Sequence, residues 1–158
     1  MATVYIETSI VSYLTARPSR NVVLAAHQAI TREWWRQRTS YQLRVSQLVL
    51  DEAAGGDAGM GARRVNALTG VPVIDLTQEA SALATDLVIR GALPRKALVD
   101  AFHIGIAASH HLDYLLTWNC RHLANAAIRG TIEAVCRSAG LVPPVICTPE
   151  ELPARRPS

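Results

Sequence analysis

The chain predicts an α/β fold, with a central, mainly parallel sheet of four to five strands flanked by helices on both faces. Two observations predict it. Short β-rich apolar runs alternate with longer segments of helical period from the first residues to the last, the signature of successive strand–helix units. No internal repeat, linker or change of composition divides them, and 158 residues are enough for one domain to bury a sizeable core. One domain is therefore expected over residues 1–150, with a loose tail, "ELPARRPS", over 151–158.

The elements follow in order. "TVYI" (Thr3–Ile6) is a short, apolar, buried strand that stops at Glu7-Thr8-Ser9 and turns into a helix over Ile10–Thr15. Between Asn21 and Arg38, apolar residues recur at Val22, Ala26, Ala29, Ile30 and Trp34, one face of a second helix. "LRVS" (Leu43–Ser46) is the second strand, and Ser46 is placed to cap a helix running through Ala54. "GGDAGMG" breaks the chain before a helix over Ala62–Leu68. "VPVIDL" gives the third strand, Gln78–Arg90 a helix, and "GALP" a turn into the helix Arg95–His111. "DYLLTW" is the fourth strand, Leu123–Ala139 a helix, and "VIC" (Val145–Cys147) a short last strand.

Composition excludes several classes. No apolar run reaches the ~20 residues of a membrane span, and "MATVYIETSI" meets an acid too early for an export signal. Three cysteines without framework spacing suit a reducing, cytoplasmic setting. The net charge of +3 is too small for a protein that coats nucleic acid. All basic residues except Lys96 are arginine, a side chain that grips phosphate bidentately, although biased codon usage produces the same composition. Neither G-x-G-x-x-G nor G-x-x-x-x-G-K-[ST] occurs, so a phosphate-cradling loop has no support.

In open parallel sheets ligands sit beyond the carboxyl ends of the strands. Polar clusters end three strands: Glu7-Thr8-Ser9, Ser46 with the helix it opens, and Thr117-Trp118-Asn119. The helix ahead of the fourth strand, "ALVDAFHIGIAA", is apolar nearly all round and carries one carboxylate, Asp100. A buried carboxylate needs a partner, whether a metal or a structural arginine or helix end. Glu7, Glu52 and Asp100, with Asn119 as a fourth oxygen donor, form a set suited to a hard cation such as Mg²⁺ or Mn²⁺. On spacing alone Asp51 serves as well as Glu52.

"VYIETSI", "VSQLVLDEAAGGD", "LVDAFHIGIAASHHLDYLLTWNCRHLANA" and "TPEEL" together resemble the PIN-domain family, specifically the VapC-like ribonuclease toxins of type II toxin–antitoxin systems. The resemblance covers nearly the whole chain in the right order. It implies a PIN-like fold and a Mg²⁺- or Mn²⁺-dependent endoribonuclease. The partners it implies are an RNA substrate, a cognate antitoxin protein and a second copy in a homodimer. Motif by motif, it places the acidic positions on Glu7, Glu52 and Asp100, which would bind the metal, and a fourth catalytic position on Asn119. Thr8 and Thr117 fall where small hydroxyl residues line the substrate pocket, and in the mechanism the resemblance implies Thr8 or Ser9 would bond a substrate phosphate. Two departures stand out: Glu7 is one methylene longer than the usual Asp, and Asn119 removes a negative charge. They leave open the alternative of a weak or inactive RNA-binding module.

Other features have plainer readings beside the functional one. His103, three residues after Asp100 on the same helical face, is a partner of the acids, an RNA contact or a core histidine. Adjacent His110 and His111 point apart and, with Asp113, suit a polar helix end. Cys120 and His122 lack the paired cysteines of a zinc site, so Cys120 is expected to pack and Arg121 or His122 to cap or face substrate. One of Trp34 and Trp35 is expected at the surface. Arg17, Arg20 and the pair Arg63-Arg64 are candidate RNA guides or ordinary solvated arginines.

Overall fold

The computed structural model of the chain describes residues 1–153. Five strands form one sheet: β1 (Thr3–Ile6), β2 (Gln42–Ser46), β3 (Val73–Ile74), β4 (Tyr114–Leu116) and β5 (Val145–Cys147). They lie in the order β3-β2-β1-β4-β5, and every neighbouring pair is parallel. β1 is central and its Val4, Tyr5 and Ile6 are fully buried, as a strand covered on both faces requires. The helices are α1 (Thr8–Thr15), α2 (Val22–Arg36), α3 (Gln47–Ala54), α4 (Ala58–Ala67), α5 (Gln78–Ile89), α6 (Leu98–Ser109) and α7 (Ala126–Ser138). They pack in two groups, α1 with α2, α3 and α4, and α5 with α6 and α7. The α/β class and the parallel sheet expected from the sequence are both present.

Side-chain caps set most helix starts. Asn21, Ser46, Asp57, Thr77 and Asn125 accept bonds from backbone N–H groups in the first turns of α2, α3, α4, α5 and α7, satisfying donors that a helix cannot satisfy itself. Two such caps correct the expected boundaries. Asp57 takes the Met60 N–H, so α4 begins at Ala58 and runs through Gly59 and Gly61. The break in "GGDAGMG" is confined to Gly55-Gly56, where Gly56 has φ +75. Gly61 is helical because α4 crosses α3 too closely for a side chain: a Cβ there would run into the Ala54 carbonyl. Asn125 caps α7, which therefore begins at Ala126 rather than Leu123.

The start of the expected tail is fastened to the body. Trp34 Nε1 donates to the Leu152 carbonyl at 2.8 Å, and the Tyr41 hydroxyl donates to the Pro153 carbonyl at 2.8 Å. Leu152 is buried. The remainder of that tail, 154–158, lies outside the described residues. Neither tryptophan of the adjacent pair is fully exposed. Trp34 is buried and stacks on Tyr41, while half-buried Trp35 lies under the Arg38 guanidinium. No helix among the described residues is long and apolar enough to cross a membrane.

Candidate metal site at the strand ends

The chain leaves β1 towards β2 and β3 on one side and returns to β4 and β5 on the other. Between β1 and β4 the strand order therefore reverses, and the carboxyl ends at such a point frame a crevice. Glu7 ends β1 and Thr117 ends β4. Their backbones stay in register one step past the strands, with Glu7 N–H donating to Leu116 O and Thr117 N–H to Cys147 O.

Glu7 is 6% exposed and is tied down by three donors. The Thr117 and Ser9 hydroxyls both reach its Oε1, at 2.5 Å each, and the Ser9 N–H reaches Oε2 at 3.1 Å. The last bond makes Glu7 the N-cap of α1. Ser9 and Thr117 are fixed in turn, because their oxygens accept the N–H groups of Trp118 and Asn119. In this arrangement the single proton of each hydroxyl goes to the Glu7 carboxylate.

Glu52 reaches the same place from α3. Its Oε1 bonds the Thr8 hydroxyl and His103 Nε2, each at 2.7 Å. Thr8 thus also serves a carboxylate. Among the described residues no protein group bonds Glu52 Oε2. Burial pushes the Glu52 carboxyl up, but the bond from His103, the charge His103 carries when protonated and the Thr8 hydroxyl together outweigh it, leaving the carboxyl below its ordinary 4.5. A carboxyl lowered by folding contributes stability above its unfolded value, and that contribution is lost as pH falls through the folded value. Urea midpoints should therefore decline on acidification below pH 4.5. Glu52→Gln should show a shallower decline over the same range.

One ligand atom each from Glu7, Glu52 and His103 lie within 4.8 Å of one another. Two carboxylates so placed form the nucleus of an oxygen-rich cation site. Asp100 is not part of that group of three. It stands in the first turn of α6 with a half-buried side chain, and its Oδ2 is 3.2 Å from His122 Nδ1. Asn119 sits at the mouth of β4, but its Oδ1 accepts the N–H groups of Arg121 and His122. The amide oxygen thus shapes the turn after β4, and the amide nitrogen is the part left for another group.

Two histidines enter the picture that the sequence left ambiguous. His103 is fully buried and bonded at both ring nitrogens. The i,i+3 spacing from Asp100 was its only signal. His122 partners Asp100 across 22 residues, for which the sequence holds no signal. Cys120, expected to pack, is exposed. Burial and the neighbouring Glu151 charge raise its thiol pKa, the opposite of the shift that activates a cysteine. Arg64 is occupied by the carbonyls of Ala53 and Gly55, whereas Arg17, Arg20 and Arg63 are exposed.

No family model matches the chain, and no curated protein matches it. Among solved structures it is similar to VapBC2 from Rickettsia felis bound to a DNA fragment from their promoter. The likeness has a TM-score of 0.59 at 13% identity, covering 92% of this chain and 98% of that one. At that identity the likeness is one of fold, and it agrees with the PIN-like architecture expected from the sequence.

Proposed function

We propose that the chain is a PIN-like toxin of a toxin–antitoxin pair, acting as a Mg²⁺- or Mn²⁺-dependent endoribonuclease. The observation that carries this reading is the convergence of Glu7 and Glu52 at the strand-order reversal of a VapBC2-like fold. Glu7, Glu52 and Asp100 would hold the ion. When bound, a hard cation supplies charge neutralisation at a phosphodiester and an acidified water. The protein's own part is positional. Ser9 and Thr117 aim the Glu7 carboxyl and Thr8 aims Glu52, while the Asn119 amide nitrogen donates towards a phosphate oxygen. Exposed Arg17, Arg20 and Arg63 attract the RNA backbone. The partners in this reading are an antitoxin protein and a second copy of the chain. Its place is the cytoplasm, in keeping with three free cysteines.

The rival reading, a PIN-like RNA-binding module that has lost catalysis, is favoured by one feature: the Asn119 oxygen is occupied by backbone. Metal removal separates the two. Single-stranded RNA should be cut in Mg²⁺ or Mn²⁺, spared in EDTA, and cut again when the metal is restored. Cleavage persisting in EDTA would rule out the metal-dependent mechanism. RNA that is bound but intact with every divalent ion would establish the binding module.

A further inference from the structure

We infer that His103 is a positioning residue for Glu52. A buried chain of hydrogen bonds running from Ser46 through Tyr5 holds its imidazole with the proton on Nε2, so it donates to the carboxylate and is not itself a ligand. The inference deepens the metal-site reading and rests on it only for the consequence at the ion.

The direction of the chain follows from counting protons. Tyr5 Oη lies 2.7 Å from both Ser46 Oγ and His103 Nδ1, and His103 Nε2 lies 2.7 Å from Glu52 Oε1. Ser46 Oγ already accepts the Val49 N–H at 3.4 Å. Tyr5, Ser46 and His103 are all essentially inaccessible to water, so each proton must find its acceptor within the chain. One orientation satisfies every group. Ser46 donates to Tyr5, Tyr5 donates to Nδ1, and Nε2–H donates to Glu52. Reversing it, by placing a proton on Nδ1, makes Tyr5 an acceptor from histidine and a donor to Ser46. The Ser46 proton is then left buried with no acceptor, which folded proteins avoid.

Proximity alone would number His103 among the ligands, since one of its ring nitrogens lies within 4.8 Å of carboxylate oxygens of both Glu7 and Glu52. The proton on Nε2 excludes it, because a metal-bound nitrogen must offer its lone pair. Glu52 Oε1 takes the histidine and Thr8 protons, and Oε2 would be the oxygen left for an ion. Such outer partners typically change metal affinity or activity by about 10–100-fold when removed.

Ring-nitrogen NMR of ¹⁵N-histidine protein, without metal, reads the tautomer directly and needs neither a variant nor RNA. The expected result is a proton on Nε2 that persists when Mg²⁺ is added. A proton on Nδ1, or loss of the Nε2 proton on adding Mg²⁺, would overturn the inference. Mn²⁺ titration of variants supplies the second readout. His103→Ala should weaken binding by about tenfold or more, whereas His103→Gln, whose amide nitrogen reaches the Nε2 position, should stay within about threefold. Equal losses in two variants that both unfold cooperatively would also overturn it. If the native chain binds no Mn²⁺ at all, the metal reading fails and the tautomer alone decides the role of His103.

Discussion

Asp100→Asn is expected to abolish RNA cleavage, a fall of at least about a hundredfold, beyond the upper range for outer-shell partners of a metal. The protein should meanwhile remain folded. Asn keeps the shape of the side chain, and the bond forgone is a long one, 3.2 Å to His122. The remaining loss is the favourable charge in the first turn of α6, worth about 0.3–1 kcal/mol, or at most about 4 °C in Tm for a chain of this size. Glu7 would be a poorer choice, since three donors converge on it and any replacement disturbs them as well as the ion. Steady-state cleavage of a single-stranded RNA, read beside a melting curve, checks the prediction. Wild-type rates would remove Asp100 from the site.

Gly105→Ala is expected to be among the most destabilising single changes in the molecule. Gly105 is buried in the middle of α6, and a Cβ there would collide with the carbonyl oxygen of Ala80 in α5. The obstacle is backbone, which no rotamer change relieves. Overpacking of this kind costs about 1–3 kcal/mol and occasionally more, and the collision here places the cost at the upper end. At about 3 kcal/mol the melting temperature should drop by roughly 6–12 °C. Because α6 also carries Asp100 and His103, parting α5 from α6 should impair cleavage as well. Thermal unfolding followed by circular dichroism tests this, and an unchanged Tm would show that the helices separate at little cost.

The strands and most helices were legible because burial writes itself into local pattern: β1, β5 and the apolar α6 are continuous in the sequence. The helix over residues 58–61 was not legible, since two glycines signal a break unless a neighbouring helix requires their missing side chains, and that requirement lies at Ala54, on another element. The anchoring of Leu152 and Pro153 was hidden for the same reason, because what holds them is Trp34 and Tyr41, more than a hundred residues earlier. Among the candidate site residues, Glu7 was legible as an acid at a strand end, whereas the choice of Glu52 over Asp51 came from the family resemblance. The sequence could not show that Thr8, Ser9 and Thr117 turn their protons inward, that the Asn119 oxygen closes its own turn, or that His122 finds Asp100. Each depends on side-chain direction across a sheet, and composition and period carry no information about that.

The bond between Thr117 and Glu7 spans 110 positions, as does the pairing of Thr3 with Asp113 that aligns the same two strands. During synthesis, the first acid of the site emerges early and waits for 110 further residues before its partner strand is complete. A chain interrupted anywhere before β4 has Glu7 but no partner strand to aim it, so shortened products of translation carry no assembled site. Whatever chemistry the crevice performs is withheld until the chain has grown past β4, and the order of the strands alone imposes that delay.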